Sequence, residues 1–334
     1  MNMHEVARRA KVSVATVSRV LNDVRTVHPV LVGRVRRAVH DLGYFPNKQA
    51  RALVKGRSRI LGLIVPEITN PFFPEVVQSF ESIAAAHNYE ILLISAVHDP
   101  VRIGATVRRM MERRVDAIAV LTFGLEELLT EHLQHSRVPL VFIDTAPPIA
   151  GAKSIRVDYM HGIRQAVQHL AALRHKGIAF VTGPLQLKSA AARKMAFELA
   201  LDELGRDSSA AVMITGDHSV EGGAAALKAL LKLPSHPTAV ICSNDMTAIG
   251  MIREAYGRIS VPAQLSLVGF DDIHLSRFTT PPLTTIRMSQ SALAQLAFNA
   301  LVQSLEAKTG EPSRTEFLLT TELVLRETTA LAPS

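Results

Sequence analysis

The sequence predicts a small all-α module followed by an α/β body of two lobes, each a parallel sheet covered by helices. Three observations predict it. Three helical periods follow one another within residues 1–46. From Ile60 onward, strand-like apolar runs alternate with helical periods, and the runs form two sets. The charge divides at the same boundary. Residues 1–59 hold 13 Lys and Arg against Glu5, Asp23 and Asp41, a net of +10, and the remainder holds 24 basic against 27 acidic residues, a net of −3.

At 334 residues the chain is long for one core, and with 48% hydrophobic residues it can bury a sizeable one. One cysteine, Cys242, rules out an intrachain disulfide and fits a reducing compartment. No N-terminal stretch pairs a basic start with an apolar run and a small-residue cleavage site, and no apolar run is long enough to span a bilayer. A soluble, cytoplasmic protein is expected. A basic module on a near-neutral body is the pattern of a small nucleic-acid-binding unit. A solvated tail has no use for the Val, Leu and Ala that this module carries at helical spacing.

Asn2-x-x-Glu5 spells a capping box for a first helix ending at Ala10, with Val6, Ala7 and Ala10 inward. Lys11 takes the next turn, where glycine would be easier by about 1 kcal/mol if the turn needs a positive φ. Ser13 caps a second helix, its hydroxyl accepting from the N–H of Thr16, with Val12 and Val17 as an apolar staple. Val17, Val20 and Leu21 face inward, leaving Val14, Ala15, Ser18 and Arg19 on other faces. A third helix is expected over 29–42, with Pro29 first, Leu31, Val35, Ala38 and Leu42 inward and Gly43 as terminator. Arg34, Arg36 and Arg37 remain outside. Three short helices around one core, the second free to enter a major groove, form a helix-turn-helix. Residues 48–54, capped by Asn47, can form two turns of helix, too short to persist alone in water. This linker is expected to be disordered when free and helical when docked.

In the body, strands are expected over 60–65, 90–95, 117–121 and 140–144, then over 178–182, 212–215, 239–242 and 265–270. Helices fall between them, for example over 75–87, 101–113, 160–174, 193–204 and 291–305. Open α/β sheets bind ligands beyond the carboxyl ends of their strands. Asn70-Pro71-Phe72-Phe73, Asp144, Ser243-Asn244-Asp245 and Asp271-Asp272 stand at such ends, although Asp, Asn and Ser there also serve as helix caps. The alternation alone fits enzymes and binding proteins equally. Dinucleotide, phosphate-loop, nucleophile-elbow and zinc-protease motifs are absent. His132 and His135 have no ligand partners at metal spacing, and Cys242 reads as a buried small residue. No catalytic residue, cofactor or metal site is expected.

Val12-Ser13-Val14-Ala15-Thr16-Val17-Ser18-Arg19-Val20-Leu21-Asn22, then LGYFPN and ARALVKGRSR, resembles the lactose/galactose repressor (LacI/GalR) family of bacterial transcription regulators. The likeness runs on through Ile60–Pro66 and Ile68-Thr69-Asn70-Pro71-Phe72-Phe73 to Pro281-Pro282-Leu283-Thr284-Thr285-Ile286, essentially the whole chain. It implies a periplasmic-binding-protein-like body over 60–330, with lobes of 60–156 plus 289–318 and 157–287 plus 319–330. A helix-turn-helix domain over 1–46 and a hinge over 47–59 precede it.

By that resemblance Val14, Ala15 and Arg19 meet base edges, while Ser13, Thr16 and Ser18 meet phosphates or bases. In the hinge, Asn47, Ala50 and Arg51 meet DNA and Leu53 wedges into the minor groove. Arg193 and Asp271 clamp adjacent hydroxyls of an effector with help from Asn244, beside Phe72 or Phe73 as an apolar wall. Asp144, Ser189 and His218 complete the implied site. Leu187 stands where purine-responsive members carry Arg, which favours a sugar or sugar phosphate. Lys11, His28-Pro29 and Ala196 depart from the family pattern. The expected protein is a homodimeric, nucleoid-associated repressor reading a pseudo-palindromic double-stranded operator, gated by that effector and independent of membranes. The last residues carry no leucine heptad for a tetramer. The competing classes are an exported-type solute-binding protein and an α/β enzyme with a basic extension.

Overall fold

A computed structural model describes residues 2–22, 26–45, 57–95, 100–121, 133, 138–144, 152–307 and 316–333. It divides into two compact units, Met1–Ser58 and Arg59–Ser334.

The first unit holds α1 (Met3–Ala10), α2 (Val14–Leu21) and α3 (Pro29–Asp41). Asn2 and Glu5 form the expected capping box, and Ser13 Oγ accepts from Thr16 N at 3.1 Å. Val6, Ala7, Ala10, Val17, Val20, Val35 and Ala38 make the core. Lys11 ends α1 at φ +52, as its place before Val12 demands. Arg34 counters that cost: its Nη2 donates to the carbonyls of Ala10 at 2.5 Å and Lys11 at 3.0 Å, completing the end of α1. Arg34 is exposed, as expected of the three outward cations, and also braces the module. Gly43 follows α3 at φ +55, and Tyr44 N closes on Val39 O at 3.0 Å.

The body carries two six-stranded sheets. The first contains β1 (Ile60–Val65), β2 (Glu90–Ser95), β3 (Ala117–Val120), β4 (Leu140–Ile143), β5 (Lys153–Asp158) and β11 (Glu316–Thr320), in the order β11-β5-β4-β3-β1-β2, all parallel. The second contains β6 (Ile178–Thr182), β7 (Met213–Thr215), β8 (Ala239–Cys242), β9 (Ser266–Asp271), β10 (Thr285–Arg287) and β12 (Glu322–Val324), in the order β12-β10-β9-β8-β6-β7. Only its β10–β12 pair is antiparallel.

Helices α4 (Phe72–Ala86), α5 (Pro100–Glu112) and α10 (Gln290–Glu306) serve the first lobe. Helices α6 (Tyr159–Ala172), α7 (Lys188–Glu203), α8 (Val220–Leu230) and α9 (Asp245–Ala255) serve the second. Alternation along β1 shows why these strands are apolar throughout. Leu61, Leu63 and Val65 face the core that includes α4 and α10, whereas Ile64 faces Val107 and Met110 on the other side.

Sequence periodicity placed these strands and helices within a few residues but began α4 at 75 and α7 at 193. The helices start at Phe72 and Lys188, directly after the strand-end loops. It did not name β5, β11, the three-residue strands β10 and β12, or the helices α8 and α9; three residues, and helices such as α8 rich in Ala and Gly, carry little periodic signal.

Two of those helices, α8 and α9, touch backbone to backbone. A Cβ on Gly223 would stand 2.0 Å from Thr247 O, and one on Gly250 would stand 2.0 Å from Val220 O. Gly250→Ala should therefore lower the urea midpoint, costing about 1–3 kcal/mol of overpacking. Alanine's better helix propensity, worth about 1 kcal/mol, does not offset a clash with a carbonyl that cannot rotate away.

Candidate functional site

The second helix of the small unit exposes Ser13, Ala15 and Arg19 and half-buries Val14, Thr16 and Ser18. Val14 packs partly against the module's core. Ser13 and Thr16 share a hydroxyl contact at 2.9 Å, while Asn22 Nδ2 donates to Ser18 O at 2.8 Å and lies 3.4 Å from its Oγ. The face is thus small-sided, hydroxyl-bearing and armed with one guanidinium, suited to close approach along a major groove. Asn47, Ala50, Arg51 and Leu53 lie outside the described residues.

In the body, strand order locates the second site. The chain starts each sheet at β1 or β6 and then builds outward in both directions, so a crevice opens at the carboxyl ends of those strands. A cavity of about 60 Å3 lies there, lined from both lobes. Phe72 and Phe73 enter from α4, their rings in edge contact at 5.4 Å. Ser189 and Arg193, four residues apart on α7, share the helix face that enters from the other lobe. His218 follows β7, Asn244 follows β8, and Asp271 ends β9.

Arg193 is the centre of this site, only 4% exposed. Its Nη1 donates to Ser243 O at 2.5 Å, and its Nη2 stands 3.6 Å from Asp271 Oδ1. The guanidinium carbon lies 4.2 Å from the Phe270 ring and 5.1 Å from the Tyr159 ring. Nε is buried without a hydrogen-bond partner. Burial opposes the charge, but Tyr159, Asp271 and Asp144 outweigh it and keep the group charged. Asp271 sits at φ +110, and burial pushes its carboxyl up to about 7, with Arg193 pulling it back and Glu75 adding to the rise. Such a backbone costs about 1–3 kcal/mol and holds only because the surroundings determine it.

His218 also takes a positive φ, +66, and its Nε2 lies 2.9 Å from Ser243 Oγ. Burial, aided by Arg193, pushes its imidazole down to about 3, so it is neutral near pH 7. Asn244 lines the cavity, yet its Oδ1 caps α9 through Thr247 N at 2.9 Å and its Nδ2 donates to His218 O at 3.0 Å. Asp144 directly follows β4, and its carboxylate accepts from the Tyr159 hydroxyl at the start of α6.

Asp245 and Asp272 serve the frame. Asp245 accepts from Ile273 N at 2.9 Å and Thr285 Oγ1 at 2.5 Å, and Asp272 pairs with Arg287 at 2.7 Å and with Arg326. Glu67, Tyr159 and Met288 were not singled out from sequence. Glu67 could have been, since it stands one residue past Pro66 at the end of β1. Tyr159 follows β5, a strand that periodicity missed.

Residues 2–47 match the family model for bacterial regulatory proteins of the lacI family, and residues 167–329 match that for a periplasmic binding protein-like domain. The ribose operon repressor of Escherichia coli is 32% identical over 314 residues, 93% of this chain and 95% of that protein. The fold resembles a lac repressor dimer bound to operator and the anti-inducer ONPF, with TM-score 0.88, 27% identity and 99% of each chain covered. It also resembles a LacI family regulator from Enterococcus faecium with bound ribose, with TM-score 0.74, 26% identity, and 82% and 100% of the two chains covered.

A raised carboxyl acts on stability with a definite sign. With a folded value of about 7 against about 3.9 in an unfolded chain, Asp271 holds more proton folded than unfolded between those limits. Its contribution is therefore present at low pH and is lost as pH rises from about 4 to about 7. Asp271→Asn should flatten the decline of wild-type stability across that window, measured as urea midpoints at stepped pH.

Proposed function

The chain belongs to the lacI family of bacterial regulatory proteins, and on that premise we infer its working. It is a DNA-binding transcriptional regulator, a repressor whose operator affinity is set by a sugar held between the two lobes of its body. The observation that carries the effector reading is Arg193, a buried guanidinium on the cavity wall with Nε unpartnered and Asp271 beside it. A planar donor fork next to a carboxylate acceptor matches two adjacent hydroxyls of a sugar ring. Phe72 and Phe73 offer its apolar face a wall. Ser189 and His218 supply further polar contacts, while Asn244 and Asp144 hold the site's shape.

Supporting this reading, the similar proteins are named as repressors or transcription regulators, one of them carrying ribose. A homodimer is the assembly proposed, two copies of the helical module reading a pseudo-palindrome. Ser13, Val14, Ala15, Thr16, Ser18 and Arg19 are the residues assigned to DNA, with Asn47, Ala50, Arg51 and Leu53 in the hinge over 47–59. Effector binding alters the angle between the lobes of the body and so the folding of that hinge, a coupling of about 1–3 kcal/mol. Among the described residues no helix is long and apolar enough to cross a membrane; the site of action proposed is the cytoplasm, on the nucleoid.

A gel-shift titration against genomic fragments tests the regulator. One fragment should be preferred over bulk DNA at moderate salt, and Arg19→Ala should lower that preference by about 1–3 kcal/mol if Arg19 reads a guanine. Uniform binding to all fragments would refute the assignment. Arg193→Ala should keep operator binding and abolish its response to sugar; a response equal to wild type removes Arg193 from the effector site. Leu53→Ala should weaken specific DNA binding and leave sugar affinity unchanged.

A further inference from the structure

The charges around the cavity restrict what it can hold. Among the described residues, Glu67, Arg193, His218 and Asp271 are its ionisable lining residues. Arg193 is the one permanent cation among them, and two of its nitrogens are already engaged by Ser243 O and the Asp271 carboxylate. His218 contributes a neutral ring. From the opposite lobe Glu67 brings a second carboxylate, held by Thr69 Oγ1 at 2.5 Å. The carboxylates offset Arg193, so the described lining holds no surplus positive charge.

Residues 66–71, which follow β1, contain no Lys or Arg but hold Glu67, and Asp144 directly follows β4. In the second lobe the segments 183–187, 216–219 and 243–244 also lack Lys and Arg. Lys188 is exposed at the start of α7 and is not a lining residue. A phosphate monoester needs a cluster of Arg, Lys or free backbone N–H groups to replace its hydration. Here it would face carboxylates from both lobes, with a guanidinium already shared. A hydroxyl meets no such conflict, because a carboxylate accepts from it.

Resting on the reading of this cavity as the effector site, we propose that the effector is an uncharged, hydroxyl-rich sugar and that its phosphate ester is rejected, with Glu67 and Asp271 as the rejecting groups. Exclusion by a like charge in a desolvated site is specificity by repulsion. Glu67 is then a specificity residue that accepts a sugar hydroxyl from the first lobe.

Isothermal titration of the full chain tests this with unmodified aldopentoses, aldohexoses, ketohexoses and their disaccharides, each set against its phosphate esters. At least one neutral sugar should saturate, and its phosphate ester should bind at least about 100-fold more weakly, which is about 2.8 kcal/mol. Glu67→Gln should narrow that gap at least about five-fold, weakening the neutral sugar and strengthening the ester (about 1 kcal/mol). An ester that binds as tightly as its parent, with affinity lost in Arg193→Ala, overturns the rejection and leaves the effector site standing. An unchanged gap in Glu67→Gln removes Glu67 from the proposal. Binding of neither set overturns both the rejection and the effector reading.

Discussion

A guanidinium buried where two lobes meet must be neutralised by what surrounds it, and the body is built around that requirement at Arg193. Removing the charge from water costs several kcal/mol, which the interior must return through geometry. It does so with a carbonyl at the end of β8, a carboxylate at the end of β9, and the faces of Phe270 and Tyr159. These partners come from three elements of one lobe: the end of β8, β9 and the start of α6. A carboxylate of the other lobe, Asp144, adds its field through Tyr159. The charge therefore acts as a fixed point to which both sheets are referred.

The backbone reflects the same demand. Asp144, His218, Asp271 and Asp272 all take positive φ at strand ends around the cleft. None is a glycine, so each stores some strain, and each is held by a contact of its own: a tyrosine hydroxyl at Asp144, a serine hydroxyl at His218, the guanidinium at Asp271, and both Arg287 and Arg326 at Asp272. Glu75 adds a direct tie between the lobes, its Oε1 accepting from His274 N at 2.9 Å. Contacts that cross the cleft are the ones a ligand between the lobes must strengthen or break, which is how binding energy becomes a change of angle.

The small unit solves a different problem. Two of its helices have only eight residues each, too few to persist by hydrogen bonding alone. Caps and a seven-residue core supply what length does not. The exposed face of α2 can then be chosen for contact rather than for stability, with side chains no longer than a threonine around Arg19.

How legible this was depended on the range of the interaction. Caps, alternation and charge are local, so the three helices, the paired sets of strands and the basic module could be read from neighbours in sequence. Asp271 and Arg193 could be named through a family resemblance. Their geometry could not, because 78 positions separate them and the contact exists only once β9 and α7 are both in place. The short strands β10 and β12 were invisible for the same reason: they are strands only because β10 pairs with β9 and β12 pairs with β10. Sequence alone therefore determined which chemistry the chain carries and in what order. Only the tertiary structure decided that Glu67 joins the cleft, that Arg34 ends a helix, and that Asp245 and Asp272 hold the frame, since each depends on groups brought together by packing rather than by spacing.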